Sequence, residues 1–227
     1  MQGSRAALIL QTGILEMVSH GSVFTYAVLG ILACFSILSL AIAFAKWSAF
    51  SSGARSDARF ARAFRKANSL ETVAAAAENF RPAPLVRVFD AGYAEAARQV
   101  QAHQRLVNKE AISRSLQIAV SEQLTRFEHN LNWLATIASV SPFIGLFGTV
   151  MGIVRVFSSL GSAGSTSMTT VGPGVSEALV TTGVGLIAAI PAAIFYNIFG
   201  RRLKETGDRF DNFSLEFINM VERSSGE

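Results

Sequence analysis

One acidic residue lies inside a long apolar stretch of this sequence. Glu177 is the only Asp or Glu between Glu128 and Glu205, and it stands near the start of GVSEALVTTGVGLIAAIPAAIFYNIFGRR (174–202). A charge at the centre of a membrane costs at least about 2.5–3.5 kcal/mol, so an acid there needs a partner, a water-filled cavity or a bound proton. The chemistry that a lone intramembrane carboxyl group offers is the uptake and release of protons.

Two interpretations of Glu177 follow from its polar neighbours in the sequence. Arg155 is the only basic residue in the same pair of apolar segments, and an ion pair between the two would be purely structural. The other interpretation is a polar proton path, lined by the hydroxyl groups of Ser139, Ser141, Thr149, Thr181 and Thr182. On a helix, Thr181 lies about 40° from Glu177 and Thr182 about 140°, which favours Thr181 as its neighbour. The alternative role for each hydroxyl is a bond to a carbonyl group of the preceding turn.

Small residues in the same two segments predict close helix packing. Gly148 and Gly152 form a G-x-x-x-G step, a pattern that lets two membrane helices approach closely. On the third segment the small residues are Ala178, Thr182, Gly185, Ala189 and Ala193. We assign Gly148, Gly152, Ala178, Gly185 and Ala189 to packing rather than to chemistry.

Three apolar segments predict a membrane protein. The chain has 227 residues, of which 50% are hydrophobic and 16% charged, and its mean hydropathy is +0.37. A membrane helix needs about 20 mostly apolar residues, and three such stretches occur. They predict transmembrane helices at 23–46, 131–160 and 174–200. Residues 23–45 are too long for the apolar part of a signal peptide, and the preceding 22 residues carry only Arg5.

The distribution of basic residues predicts the orientation. Residues 46–130 carry 13 Lys or Arg and residues 201–227 carry 5, whereas residues 1–22 carry one and 158–175 none. The positive-inside rule therefore places 47–130 and 201–227 in the cytoplasm, and the segment 1–22 and the loop 161–173 on the outer side of the membrane. The net charge of +4 is explained by this asymmetry, so we expect a multi-pass membrane protein that does not bind nucleic acid.

The charged regions are also predicted to be helical. SSGARS (51–56) is expected to form a loop, and RPAPL (81–85) to end a short helix. From Val86 to Leu131 only Gly92 interrupts the pattern, which predicts one long helix that runs into the second span. The third span should likewise continue through 201–227. The expected fold class is an all-α membrane protein whose second and third spans extend as long helices into the cytoplasm.

Motifs of common enzymes are missing from the sequence. It has no H-E-x-x-H, no Walker loop and no cysteine pair, and GVGLIA (183–188) lies within an apolar helix rather than after a strand. We expect neither an enzyme nor a cofactor, with protons as the coupling ion.

SPFIGLFGTVMGI (141–153) followed by GPGVSEALVTTGVGLIAAIPAAIFYN (172–197) resembles the paired membrane motifs of the MotA/TolQ/ExbB proton channel family, within it the TolQ and ExbB branch. The resemblance is dense over 131–200. It implies a pentameric ring around a TolR- or ExbD-like single-span partner in the bacterial inner membrane, with the segment 1–22 and the loop 161–173 in the periplasm. It also places the pore glutamate at Glu177 and the pore threonines at Thr149 and Thr182, whereas the helical geometry favours Thr181. Met151 and Arg155 depart from the family pattern.

The function implied by the resemblance is a proton-driven motor. We expect a Tol-Pal-type stator subunit that energises a TolR- and TolA-like partner for outer-membrane constriction and integrity. The alternatives are an ExbB-like subunit that energises TonB-dependent transport, and a passive membrane scaffold.

Overall fold

A computed structural model describes residues 22–67, 69–103, 108–163 and 168–225, and every regular element in these ranges is helical. In chain order the elements are α1 (Val23–Lys66), α2 (Leu70–Ala77), a 3₁₀ turn (Glu78–Phe80), α3 (Pro84–His103), α4 (Lys109–Glu128), α5 (Leu131–Ala163) and α6 (Met168–Ser225). Three stretches are long and apolar enough to cross a membrane: Val23–Lys66, Lys109–Gly161 and Val171–Arg223. The all-helical fold with three apolar helices is thus confirmed. The predicted interfacial segment 1–22 lies outside the described residues except for Ser22.

The helix α1 shows that the expected loop at 51–56 is wrong. It runs without interruption from Val23 to Lys66. Gly53, expected to break the helix, is instead a close contact, since a Cβ on it would lie 3.3 Å from the Phe127 ring and 3.6 Å from Pro84. The Ser56 hydroxyl donates to the Ser52 carbonyl 2.9 Å away, so the small polar residues of this segment are accommodated within the helix.

The single long helix expected from Val86 to Leu131 is also wrong. The chain forms α3 and α4, which pack on each other, and Gly92 lies between them: a Cβ there would come within 2.6 Å of the Leu116 side chain. Helix α4 starts at a cap, where Asn108 Oδ1 accepts from the Ala111 amide at 2.9 Å. Gln99 of α3 holds this capping residue, because it donates to the Asn108 carbonyl at 3.0 Å and accepts from the Asn108 amide at 2.9 Å.

A second interruption separates α4 from the apolar helix α5. The turn at residues 129–130 closes with the His129 amide donating to the Thr125 carbonyl at 3.0 Å. Asn130 has φ 69°, in the left-handed region that asparagine tolerates better than most residues. The predicted run from the charged region straight into the second span therefore contains a two-residue turn.

The expected loop at 161–173 is largely helical in the described residues. Helix α5 continues to Ala163, and α6 begins at Met168, five residues before Pro173. The two helices remain in contact here, because a Cβ on Gly174 would overlap the Val156 side chain.

The chain divides into two compact units. The apolar unit comprises 22–43, 132–163 and 168–196, and the aromatic unit comprises 44–131 and 197–225 among the described residues. In the aromatic unit, rings from α1, α3 and α6 form a core; Phe64 and Phe213 have centroids 4.8 Å apart, and Phe89 and Phe217 5.7 Å apart. Three aromatic residues of α6 beyond residue 200 are buried in this core: Phe210, Phe213 and Phe217.

Candidate functional site

Glu177 lies in the apolar unit, partly buried, on the first turns of the third apolar segment. Its Oε1 accepts a hydrogen bond from the backbone amide of Ser22, with a distance of 3.1 Å. Ser22 precedes α1 and caps it, since its hydroxyl accepts from the Thr25 amide at 3.2 Å. The carboxyl group is therefore bound to the start of another helix.

Arg155 also reaches this point, but it does not pair with Glu177 directly. Its guanidinium donates to the Ser22 hydroxyl and lies 4.9 Å from the centre of the Phe24 ring. Within the described part of the chain, no salt bridge of 4.0 Å or less joins Arg155 to Glu177. The structural ion pair considered from the sequence is replaced by an arrangement in which Ser22 contacts both charged side chains.

Helices α5 and α6 pack against each other along a line of small residues that we name the glycine seam: Gly145, Gly148 and Gly152 of α5, with Ala178, Thr181 and Gly185 of α6. A Cβ on Gly148 would lie 2.6 Å from Thr181 Oγ1, and one on Gly152 would lie 2.7 Å from the Ala178 Cβ. On Gly185 it would lie 2.8 Å from the Ser141 carbonyl oxygen. A larger side chain at any of the three would have to displace its neighbour. Ala189, also assigned to packing, is 5% exposed.

The three candidate threonines occupy different environments. Thr181 is 1% exposed in the seam, and its hydroxyl donates to the carbonyls of Ala178 (2.7 Å) and Gly145 (3.2 Å). Thr149 is 7% exposed and donates to the Leu146 carbonyl at 2.7 Å, the internal bond that membrane threonines commonly form. Thr182 lies beside the seam, and its Oγ1 is buried without a partner in the described chain. Which of them faces a pore stays a prediction.

Two residues of this site were not among the sequence candidates. Ser22 carries a readable signal, a serine directly before an apolar helix, but nothing in the sequence connects it to Glu177. Gly145 extends the G-x-x-x-G step by one turn. Ser141, one of the hydroxyl residues considered for the proton path, is fully buried, and its Oγ lacks a partner among the described residues.

A second buried carboxyl group lies in the aromatic unit, outside the apolar segment 23–46. Asp57 is 5% exposed, and its Oδ1 accepts from the Leu85 amide at the start of α3, 2.8 Å away. Burial raises the pKa of Asp57 to about 6, against the opposing effects of the Leu85 bond and the positive charge of Arg209. This carboxyl group caps a helix from a distance of 28 residues in sequence.

The arrangement of acidic and sulfur-containing side chains does not suggest a metal centre. In the described ranges no three His, Cys, Asp or Glu side chains come together as a group that could hold an ion. Among the described residues, the apolar unit carries one carboxyl group, that of Glu177, and one guanidinium group, that of Arg155, together with several hydroxyl groups and the thiol of Cys34.

Comparison with known proteins places this site in a family. The sequence from residue 82 to residue 212, more than half of the chain, matches the MotA/TolQ/ExbB proton channel family. The chain belongs to the MotA/TolQ/ExbB proton channel family. The family expected from the paired motifs is thereby confirmed, and the matched range contains Glu177 and the whole glycine seam, whereas Ser22 lies outside it.

Relatives in both named groups of the family are similar to this chain. The Tol-Pal system protein TolQ of Haemophilus influenzae is 31% identical over 220 residues, which cover 93% of this chain and 94% of that protein. The protein of the same name from Pseudomonas aeruginosa is 39% identical over 141 residues, 60% of each chain. The biopolymer transport protein ExbB of Salmonella typhimurium is 51% identical over 71 residues, which cover 31% of this chain and 29% of ExbB. Three apolar helices and this family fit an inner-membrane, multi-pass protein of the Tol-Pal or ExbB type.

Proposed function

We propose that this chain is a ring-forming subunit of a proton-driven, Tol-Pal-type complex, in which Glu177 takes up and releases protons. The observation that carries the proposal is the position of Glu177, the only acid between Glu128 and Glu205, at the end of the glycine seam in the apolar unit. Its carboxyl group is partly exposed and is bound by a neutral backbone amide. An intramembrane acid without a cationic partner favours proton transfer over a structural ion pair.

Assembly with other chains is part of the proposal. Family membership supports a homo-oligomeric ring, five copies by the family pattern, around a TolR- or ExbD-like single-span partner. Both helices of the seam leave large apolar side chains exposed, which lipid or further copies would cover: Phe143, Leu146, Phe147, Val150, Leu179, Leu186, Ile187, Ile190 and Ile194. In such a ring the N-terminus lies in the periplasm and the C-terminus in the cytoplasm.

The length of the match favours the Tol-Pal assignment over its ExbB-like alternative. A TolQ protein aligns with 93% of this chain, whereas ExbB relatives align with 31% to 53% of it. In the Tol-Pal assignment, the energy of proton transfer passes through a TolA-like partner to the outer membrane. In the alternative, it passes through a TonB-like partner and energises transport. Purification of the chain with each candidate partner separates the two, since only the cognate single-span protein should remain bound in detergent.

The substitution Glu177→Gln tests the proton role, because it keeps the shape and removes the titratable group. We expect the complex with its partner to assemble normally, while proton uptake by vesicles that contain it, followed with a pH-sensitive dye under an imposed potential, is abolished. Glu205→Gln is the matched control, on the same helix but exposed and outside the apolar unit. Normal proton uptake by the Glu177→Gln complex would instead support the passive scaffold.

A further inference from the structure

A cavity of about 440 Å³ lies along one side of α1, where the apolar segment 23–46 ends. All of its lining residues belong to α1 and to the aromatic unit. Two aromatic side chains line the end nearer the apolar segment, three serines line the middle and two arginines line the far end: Phe44, Trp47, Ser48, Ser51, Ser52, Arg55 and Arg59. The cavity therefore changes along the helix from apolar to hydroxyl-bearing to cationic.

The tryptophan of this cavity is held by a second helix. The Arg202 guanidinium of α6 lies 4.2 Å from the centre of the Trp47 ring, a cation–π contact within the aromatic unit. Trp47 nevertheless stays 48% exposed. Tryptophan is enriched at membrane–water interfaces, where its ring lies at the level of the lipid headgroups. With the segment 23–46 in the membrane, the cavity therefore opens at the level of the lipid phosphates.

The two arginines of the cavity have no acidic partner. Both are exposed, and none of the salt bridges in the described chain includes Arg55 or Arg59. The only acid between residues 44 and 66 is Asp57, which is buried and lies about 160° around the helix from Arg55. Long side chains on a helix lean toward its N-terminus, which here is the membrane side. Both guanidinium groups are therefore available to an anion that approaches from the membrane surface.

We propose that this cavity binds the phosphate headgroup of an anionic phospholipid, from the leaflet at which the apolar segment 23–46 ends. Guanidinium groups form paired hydrogen bonds with phosphate oxygens, and the serine hydroxyls add further donors. Basic residues clustered directly after a membrane helix are a pattern that recognises anionic lipids. The Phe44 ring, 81% exposed, lies at the end of the cavity where the acyl chains would begin. The proposal does not depend on the proton role of Glu177.

The fluorescence of Trp47 reports which lipid occupies the cavity. The chain has two tryptophans, so Trp133→Phe leaves Trp47 as the only one. The full chain with this substitution is reconstituted in phosphatidylcholine vesicles that contain increasing fractions of phosphatidylglycerol brominated near the glycerol. Equally brominated phosphatidylcholine gives the reference for quenching. We expect phosphatidylglycerol to bind about fivefold or more tightly, and Arg55→Gln combined with Arg59→Gln to abolish this preference, since each basic residue near the surface contributes about fivefold.

Arg62→Gln combined with Lys66→Gln is the matched control. It removes the same charge from the same side of α1, but these residues lie about 10 and 16 Å beyond Arg55 along the helix and do not line the cavity. The control should keep the preference for phosphatidylglycerol. An equal loss in the control would show a general attraction of positive charge to the surface and overturn the site, as would equal quenching by the two lipids before any arginine is changed. A preference that inorganic phosphate removes at constant ionic strength would assign the cavity to free phosphate and also refute the proposal.

Discussion

The buried Asp57 makes the stability of the aromatic unit depend on pH, and the substitution Asp57→Asn isolates this dependence. Burial raises the pKa of this carboxyl group from its usual 3.8 to about 6. Because the folded protein holds the proton more tightly than the unfolded chain, the free energy of unfolding falls as the pH rises from about 4 to about 6, and it is level above that range. The sign is opposite to that of an ordinary ion-paired aspartate.

The size of the effect follows from the displacement of the pKa. A change from 3.8 to about 6 corresponds to about 3 kcal/mol between the protonated and ionised forms. The asparagine side chain of the variant would keep an oxygen for the Leu85 amide but would not titrate, although its buried NH₂ group costs about 1–3 kcal/mol if it finds no partner. We therefore expect the wild type to lose about 2–3 kcal/mol of stability relative to Asp57→Asn between pH 4 and pH 7, whichever of the two proteins is the more stable.

The measurement is the melting temperature of the purified protein in detergent at several pH values, followed by near-ultraviolet circular dichroism. The quantity that matters is the difference between the wild type and Asp57→Asn, since other groups titrate equally in both. Asp208→Asn, an exposed acid on α6, is the control and should run parallel to the wild type. A wild-type curve that also runs parallel to Asp57→Asn across this range would refute the assignment of a raised pKa to Asp57.

Two further predictions concern packing and surface charge. Gly185→Ala should lower the stability by about 1–3 kcal/mol, because its Cβ would lie 2.8 Å from the Ser141 carbonyl oxygen. Gly183→Ala is the control and should be neutral or stabilising, because nothing lies within 4 Å of its Cβ. Equal melting temperatures for the two variants would disprove the close packing of the glycine seam. The exposed Arg65–Glu216 pair, 2.7 Å between Nη2 and Oε1, should show a coupling energy below about 1 kcal/mol in a double-mutant cycle, and a larger value would contradict its solvent screening.

The three long apolar helices were predictable because the signal is local. A helix in lipid must satisfy its own backbone, so length and hydropathy suffice to find it. The predicted starts at Val23 and Leu131 coincide with the starts of α1 and α5. The apolar residues of α6 beyond residue 200 also form a local signal, since they recur every three or four residues, which is the period of a helix face buried in a core.

The interruptions were predicted poorly because they depend on contacts between distant segments. Ser-Gly composition at 51–56 suggests a loop, yet Gly53 is where the ring of Phe127 reaches α1. Gly92 suggests a break, yet it is where Leu116 approaches α3. In both cases a glycine that looks like a helix breaker in the sequence serves a close approach, and the actual turns use Asn108 and Asn130 instead.

The candidate site likewise has features that the sequence shows and features that depend on contacts between distant residues. A lone acid in an apolar segment is visible in the sequence, and so is a stripe of small residues. Which hydroxyls are available for chemistry is not visible, because Thr181 and Thr182 are adjacent and chemically identical, yet only Thr181 finds carbonyl partners in the seam. The residue that holds Glu177 is 155 positions away, and no periodicity connects them.

The bond between Ser22 and Glu177 sets a condition on the proposed cycle, since a carboxyl group that carries protons must leave its partner at each turnover. A hydrogen bond to a charged group is worth about 1.5–3 kcal/mol net. One proton that crosses a potential of about 100–150 mV supplies about 2.3–3.5 kcal/mol, which is enough to break such a bond. Separation of a buried ion pair costs about 3–5 kcal/mol, which one proton does not reliably supply. Because Ser22 contacts both Arg155 and Glu177, the carboxyl group is held by the weaker of these two interactions, and in the proposed cycle a single proton per step would be enough to release it.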